Sequence, residues 1–249
     1  TGTPVGEGTV KIYVANLYKF DCSYNQNYGA KVTSVDISKA NIESFTCATN
    51  NITALDLSNN STLKSLTVTS NPEFATLTLP TTNIITSLTL NDCALASIDL
   101  SACTALTSVN LNNNSELGSI DVSANTALTT LRANNTGLTS IDLSANTILK
   151  NLYVNENQLT TLDVSKMVAG SYIFANDNKL TELVTAAEML SSKTRINVLR
   201  NNFTMSTLPT ISGVNAYNYA PQQAMTIATE INEGEELDLS SEAMVGENA

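Results

Sequence analysis

The chain has 249 residues, of which 42% are hydrophobic, and its 12 basic and 23 acidic side chains give a net charge of −11. This charge disfavours nucleic acid as a partner, and the absence of histidine removes the usual general base, most zinc sites and the Ser–His and Cys–His nucleophile pairs. No run of about 18 apolar residues occurs, so no membrane-spanning segment is predicted. The hydrophobic content is enough for a continuous core.

Residues 1–16 are interpreted as an N-terminal tether or cap, because they open with the flexible sequence TGTPVGEGT. Its GEG at 6–8 lacks the third glycine and the preceding strand of a dinucleotide-binding fingerprint. A Walker loop, an H-E-x-x-H motif and an EF-hand loop are also missing from the sequence. We therefore expect no cofactor.

From residue 17 onward, two series of short apolar patterns alternate along the chain, and each series repeats mostly every 21 or 22 residues. The first series runs from residues 17–22 (LYKFDC) to 196–198 (INV). The second series is a triplet, usually apolar-Asp-apolar, and runs from 35–37 (VDI) to 183–185 (LVT). A constant period of this length is typical of a solenoid, in which each turn of the coil, or rung, rests on the next.

An apolar-x-apolar triplet places two side chains on one face of a short strand and one on the other. Two triplets per rung predict a right-handed β-solenoid with two parallel sheets of short strands and very little helix. Because neighbouring strands lie about 4.8 Å apart, roughly eight or nine rungs would form a rod about 40 Å long.

Asparagines recur at the corners that follow both series. An inward asparagine can bond the backbone groups that lose their ladder partners where the chain bends. After the first series these residues are Asn50, Asn71, Asn114, Asn157, Asn178 and Asn201, with Cys93 and Thr136 as small replacements. After the second series they are Asn60, Asn125 and Asn146, with Thr82 and Cys103 in register.

The pattern L-x-x-L-x-L-x-x-N over residues 17–203 resembles the leucine-rich repeat. Its doubled form, LTSIDLSANTILKNLYVNENQLTTLDVS (138–165), looks like the short 21-residue repeats of bacterial cell-surface proteins, and LYKFDCSYNQ (17–26) is similar to their Leu-x-x-Leu-x-Cys-x-x-Asn version. The resemblance implies a binding or adhesion module that is extracellular or on the cell surface, with a lipid anchor as one means of attachment. The family has no shared catalytic residues.

The pattern changes toward the C-terminus. Thr185 followed by Glu188 suggests a capping box, so we predict that a short helix from about residue 186 replaces a strand. Residues 204–249 are expected to be a C-terminal cap or the start of a following Ig-like β module. No lysine or arginine follows Arg200, whereas seven acidic residues do.

The four cysteines lack the C-x-x-C spacing of metal and redox sites. Cys22 and Cys47 occupy the same inward position of neighbouring rungs, and Cys93 and Cys103 fall at opposite corners. We interpret all four as reduced thiols that act as small apolar residues. A Cys22–Cys47 disulfide is the alternative, although adjacent in-register strands hold the two Cβ atoms at a poor distance for it.

An aspartate column is predicted at the outward centre of the second side, each aspartate being followed by serine two residues on. Its members are Asp36, Asp56, Asp99, Asp121, Asp142 and Asp163. A solvated face that opposes aggregation is one interpretation, weak cation binding a second and a catalytic carboxylate pair a third. A flat exposed sheet offers no cleft to shift a pKa, so we predict no catalytic residue and no tightly held metal.

The outward centre of the first sheet changes character along the rod: it holds Thr46, Thr67, Thr89, Asn110, Arg132, Tyr153, Phe174 and Asn197. Exposed rings at a sheet centre have an energetic cost, and three explanations are open: packing under the C-terminal segment, simple drift of the sequence, or a ligand surface. The candidate ligand-binding residues are Arg132, Tyr153, Phe174, Tyr172, Arg195 and Asn197.

Three functional hypotheses follow from these patterns. The first is a non-enzymatic binding or adhesion module, monomeric, that recognises a protein or glycan on a rigid sheet. The second is a structural spacer that displays other domains. The third is a polysaccharide-acting enzyme, which the missing histidine disfavours. The Arg132–Phe174 surface separates the first two, because a spacer needs no exposed rings.

Overall fold

The computed structural model describes residues 17–26, 31–204 and 206–222. Nearly all its regular structure is strand. The strands are β1 Lys19–Asp21, β2 Ser44–Ala48, β3 Ala54–Asp56, β4 Ser65–Thr69, β5 Thr76–Thr78, β6 Ser87–Thr89, β7 Ser108–Asn110, β8 Thr130–Arg132, β9 Asn151–Tyr153, β10 Thr161–Asp163, β11 Tyr172–Phe174, β12 Glu182–Val184, β13 Arg195–Asn197 and β14 Ala216–Asn218. The one helix of the described part is a 3₁₀ turn, Ala187–Met189.

The first series forms a single ten-stranded parallel sheet, in the order β1-β2-β4-β6-β7-β8-β9-β11-β13-β14. Each rung contributes one strand, and the central apolar residue of each strand pairs with its equivalent one rung away, as Leu131 does with Leu152. These central residues point into the coil, while the residues on either side of them remain half-buried or exposed. The predicted parallel β-solenoid with very little helix is confirmed.

The second side is paired as strand at two places in the described part, β3 with β5 and β10 with β12. The intervening triplets at 98–100, 120–122 and 141–143 are not paired as strand. The chain bends immediately after each triplet: Asp121 Oδ1 accepts from Ser123 N at 2.9 Å, and Val122 O accepts from Asn125 N at 3.0 Å. The paired triplet at 161–163 is followed by the same turn, so the turn does not decide the pairing, and the second sheet is present only as fragments among the described residues.

The core is a thin layer of inward side chains that runs the length of the solenoid. Leucine, isoleucine and valine fill most of it, and three phenylalanines are fully buried. These are Phe45, Phe74 and Phe203. Since every rung supplies side chains of similar volume to the same positions, each rung packs on its neighbours in the same way.

A buried asparagine ladder closes the corner after the main sheet, as the sequence predicts. Asn157 Nδ2 donates to Ala133 O at 2.7 Å and to Val154 O at 3.0 Å, and its Oδ1 accepts from Leu138 N at 3.0 Å. Asn71, Asn114, Asn178 and Asn201 make equivalent bonds in their own rungs. Each such side chain joins its rung to the preceding one.

The opposite corner uses asparagine less completely. Asn60, Asn125 and Asn146 each donate from Nδ2 to two carbonyl oxygens of the previous rung. Their buried Oδ1 atoms find no partner among the described residues. This corner therefore satisfies the donors of its asparagines but leaves the acceptors unbonded.

One repeat position, directly before the buried asparagine ladder, adopts the left-handed conformation in eight rungs. Its residues, none of them glycine, have φ between 51° and 59°. They are Thr49, Ser70, Asp92, Asn113, Asn135, Glu156, Asp177 and Arg200. A β-branched residue is strained there, which makes Thr49 the least favourable member of the series.

The short helix predicted from about residue 186 is present only as the 3₁₀ turn, and the prediction that it replaces a strand is wrong. Strand β12 is retained and pairs with β10, and only the 3₁₀ turn follows it. The N-cap residue is Ala186, without a side-chain bond, so Thr185 and Glu188 form no capping box. Three residues are too few for an α-helix, because the next segment returns to the sheet as β13.

The sheet continues past residue 203, because β14 pairs in parallel with β13. Gln222 then takes the place of the ladder asparagine: its Oε1 accepts from Asn201 N at 3.1 Å and its Nε2 donates to Val198 O at 3.3 Å. The predicted tether at 1–16 and the strand-like segment at 224–241 lie outside the described residues.

All four cysteines are free. Cys22 and Cys47 follow directly after the paired residues Asp21 and Thr46, so they lie on neighbouring strands as predicted. Cys47 is fully buried, and burial raises the pKa of Cys93 to about 11. Cys47, Cys93 and Cys103 therefore behave as core residues, and Cys22 is half-buried.

Candidate binding face

The candidate residues of the first sheet lie in one column, because the strands pair in register. Asn110 pairs with Arg132, Arg132 with Tyr153, Tyr153 with Phe174, and Phe174 with Asn197. We call Arg132, Tyr153 and Phe174 the Arg–aromatic row. Its three side chains come from β8, β9 and β11, which are adjacent in the sheet.

The rings of the row are stacked face to face. The Tyr153 and Phe174 centroids lie 5.2 Å apart with an angle of 4° between the planes. The Arg132 guanidinium carbon lies 4.7 Å from the centroid of Tyr153, on the side of the preceding strand. Tyr153 is therefore covered on both faces, and the ring edges are the parts of the row that point away from the sheet.

A second cation–aromatic pair lies beside the row. Tyr172 and Arg195 are the first residues of β11 and β13 and pair with each other in register. The Arg195 guanidinium carbon lies 5.5 Å from the Tyr172 ring centroid. Together with the row, this pair makes a continuous surface, which we call the aromatic face.

All the rings of the aromatic face are half-buried, and Arg195 is exposed. The described part of the C-terminal segment, residues 204 and 206–222, leaves Phe174 accessible. Asn197, the remaining candidate, bonds its own backbone, since its Oδ1 accepts from Leu199 N at 3.2 Å. The Asn197 Oδ1 atom therefore already accepts a hydrogen bond within the fold.

A third outward column, which the sequence interpretation did not recognise as a ladder, borders the aromatic face. Asn112 Oδ1 accepts from Asn134 N, Asn134 Oδ1 from Asn155 N, and Asn155 Oδ1 from Asn176 N, at 2.9–3.1 Å. The oxygens of Asn112, Asn134 and Asn155 therefore bind the next rung and are already used by the fold. Four asparagines spaced 21 or 22 residues apart were the available signal.

Charge is distributed unevenly between the two sides of the coil. The nine strands of the main sheet after β1 contain no aspartate or glutamate, although the chain has 23 acidic residues. Their two charged residues are Arg132 and Arg195. The aspartate column occupies the opposite side, so the ten-stranded sheet presents a weakly basic surface on an acidic protein.

The aspartates of the column act as turn-closing residues. In all six, Oδ1 accepts from the N–H of the serine two residues later, at 2.8–3.0 Å. Hydrogen bonds from the serine hydroxyl and backbone N–H lower the pKa of Asp36, Asp56, Asp99, Asp121 and Asp142. Among the described residues, no group of three or more His, Cys, Asp or Glu side chains could hold a metal ion.

Comparisons with known proteins give a structural likeness and no family. No protein-family model matches the chain, and no curated protein matches it. The chain is similar to the solved functional domain of InlJ from Listeria monocytogenes, which includes a cysteine ladder. That match has 23% sequence identity and a TM-score of 0.48, and covers 80% of this chain and 53% of the other. Within the described residues, no helix has the length and apolar character needed to cross a bilayer.

Proposed function

We propose that this chain is a non-enzymatic binding or adhesion module of a bacterial surface or secreted protein, and that it recognises a protein partner on the aromatic face. One observation carries the proposal: three half-exposed rings and two arginines are gathered on adjacent strands of an otherwise Ser-, Thr- and Asn-lined sheet. The fold does not require this cluster, because the inward pattern that maintains it is the same in every rung.

The aromatic face suits recognition because it is rigid before a partner arrives. Tyr153 is held between Arg132 and Phe174, so its side chain has little rotamer freedom left to lose on binding. Tyrosine, phenylalanine and arginine are also the residue types that supply large contact area at interfaces. A pre-formed surface of this kind binds with little ordering cost.

The stacking favours a protein partner over a glycan. Sugars pack against the open faces of aromatic rings, whereas both faces of Tyr153 are already covered. The chain also lacks tryptophan. Ring edges carry the positive part of the aromatic quadrupole, so they suit carbonyl and carboxylate oxygens and the faces of other rings.

A rigid spacer is the second candidate function, and the N-terminal half of the sheet supports it. The central outward residues of β2, β4 and β6 are Thr46, Thr67 and Thr89. Threonine in this position fits a strand and offers little to a partner. The spacer and the binding module therefore differ in whether the aromatic face has a ligand.

The proposal is tested by probing the full chain on arrays of extracellular proteins and of glycans. The test variant is Tyr153→Ala with Phe174→Ala. The matched control is Thr67→Ala with Thr89→Ala, which truncates two adjacent residues of the same column. Both variants should keep the far-UV circular dichroism of the parent chain.

We expect the parent chain and the threonine control to capture the same proteins, and the ring variant to lose at least about tenfold in affinity for them. If the ring variant captures the same proteins with undiminished affinity, the binding surface lies elsewhere on the chain. If the parent chain captures nothing, the spacer is the better account. If the parent chain captures only glycans, and the ring variant loses them, the partner is a sugar and not a protein.

A further inference from the structure

We infer that the segment recognised by the aromatic face is an acidic peptide of a partner protein, with two carboxylates that bind Arg132 and Arg195. The inference rests on the proposed function and specifies its ligand. It comes from the charges that the sheet presents and from the positions of the two guanidinium groups.

The first observation is that both arginines have no carboxylate partner among the described residues. The two ion pairs in that part of the chain join Lys64 to Glu43 and Arg200 to Asp177. In a chain with 23 acidic residues, nine consecutive strands of the sheet contain none of them. A basic surface on an acidic protein favours an anionic ligand.

The second observation is that each guanidinium is held against a ring. Arg132 lies over Tyr153, and Arg195 lies over Tyr172, at 4.7 and 5.5 Å from the ring centroids. Stacking on a ring uses the flat face of the guanidinium and leaves the N–H donors at its rim. Neither arginine side chain donates a hydrogen bond to a described residue, so a two-oxygen acceptor such as a carboxylate can bind there.

The spacing of the two arginines sets the length of the ligand. β8 and β13 are three steps apart in the sheet, or about 14 Å at 4.8 Å per step, and the arginines are offset by two residues along the strands. Their Cα atoms are therefore roughly 16 Å apart. An extended peptide covers that distance in about five residues. The ring edges of Tyr153 and Phe174 lie between, where they suit an apolar or aromatic side chain.

Two acidic residues lie at the turns that follow strands β9 and β11 of this surface. Asp177 is already paired with Arg200. Glu156 occupies the same left-handed turn position one rung earlier and is exposed. Lys150, which directly precedes β9, adds an exposed positive charge on the other side. The flanking charges thus leave the surface between the two arginines electropositive.

The test measures binding of the full chain to a random copolymer of glutamate and tyrosine, with a lysine–tyrosine copolymer as the opposite-charge probe and polygalacturonate as an anionic glycan. The variant is Arg132→Gln with Arg195→Gln. The control is Lys166→Gln with Lys179→Gln, which removes the same charge from exposed positions outside the strands.

We expect the Glu–Tyr copolymer to bind the parent chain and the lysine control equally, and the arginine variant to bind at least about tenfold more weakly. Raising the ionic strength should weaken binding to the parent chain. Three results would overturn the inference: no binding of the copolymer to the parent chain, equal losses in the arginine and lysine variants, or tighter binding of polygalacturonate than of the copolymer.

A fourth overturning result would come from the chain itself. If copolymer binding arises only after the glutamates and the aspartate in residues 230–247 are changed to glutamine and asparagine, the surface is occupied by the chain's own acidic segment. The proposed function is tested separately from these outcomes. Suppose that a partner protein no longer binds the Tyr153→Ala/Phe174→Ala variant but still binds the arginine variant and still binds at high salt. Protein recognition on the aromatic face would then stand, and an acidic ligand would be excluded.

Discussion

The two halves of the ten-stranded sheet share one inward pattern and differ on the outward side. In β2, β4 and β6 the central outward residues are threonines, whereas β8, β9 and β11 present Arg132, Tyr153 and Phe174. Both halves have the same buried asparagine ladder and the same apolar core. The difference shows that the outward residues are free to vary while the fold is maintained, so a cluster of rings there points to recognition.

The largest effect expected is on stability, and it should be the same in both halves. Replacing Asn157 with alanine leaves the buried Thr136 N and Leu138 N without their acceptor, and replacing Asn71 does the same to the buried Ile52 N. Each change should lower the free energy of unfolding by about 3–5 kcal/mol. Urea unfolding measures it.

Asn51→Ala is the matched control for the asparagine ladder. Asn51 is exposed and directly follows ladder residue Asn50, so its loss should change the free energy of unfolding by less than about 0.5 kcal/mol. A large effect at Asn71 together with a negligible one at Asn157 would show that the two halves are not held together by the same ladder.

A smaller stability effect is expected from the rings. Changing Tyr153 and Phe174 together to alanine removes half-buried area and one stacked contact, which should cost about 2 kcal/mol. The same change at Thr67 and Thr89 should cost less than about 1 kcal/mol. Thermal and urea unfolding of the two double variants measure the difference. A loss as large as that of Asn157→Ala would make the row a structural element.

The left-handed turn position allows a stabilising change in one half. Thr49→Gly should raise the free energy of unfolding by about 0.5–1 kcal/mol, because glycine adopts a φ of 58° without the strain of a β-branched residue. In the other half, Asn135→Gly should be nearly neutral, since asparagine tolerates this conformation. Equal gains from both substitutions would contradict this explanation of the strain.

The smallest effect concerns the aspartate column, which runs behind both halves. The lowered pKa values of Asp36 and Asp121 mean that their contribution to stability is present above the unfolded pKa of about 3.9 and is lost as the pH falls through the lower folded pKa. The melting temperature should therefore fall with acidification below about pH 4. Asp121→Asn, which keeps an acceptor for Ser123, should reduce that dependence. A melting temperature that rises toward pH 3 would contradict the conclusion that folding lowers the pKa values of these aspartates.

Much of the fold could be predicted because the repeat is a property of side-chain spacing. The apolar periodicity placed Leu131 and Leu152 inside the coil, and the asparagines at 21-residue intervals located the corner. Strand pairing on the second side was harder to predict, because the triplets at 120–122 and 161–163 have the same apolar-Asp-apolar pattern and the same Asp–Ser turn, yet only the second is paired as strand. Thr185 and Glu188 likewise have the spacing of a cap but too short a segment to make one.

The candidate site was predictable only as a column of residues. Register along the repeat was enough to place Arg132, Tyr153 and Phe174 together. The face-to-face stacking and the two guanidinium contacts depend on rotamers, which sequence spacing does not determine. The same limit applies to Asn134 and Asn155, whose oxygens are occupied by the neighbouring rung.

The most direct test of the central claim is hydroxyl-radical footprinting of the chain with and without a protein captured on the array. Tyr153, Tyr172 and Phe174 are half-exposed and should be oxidised in the free chain, as should Tyr18 near the N-terminal end of the sheet, which is 67% exposed. If the aromatic face is the binding surface, the partner will reduce oxidation of the first three rings severalfold and leave Tyr18 unchanged. Unchanged oxidation of Tyr153, Tyr172 and Phe174 in a saturated complex would contradict it.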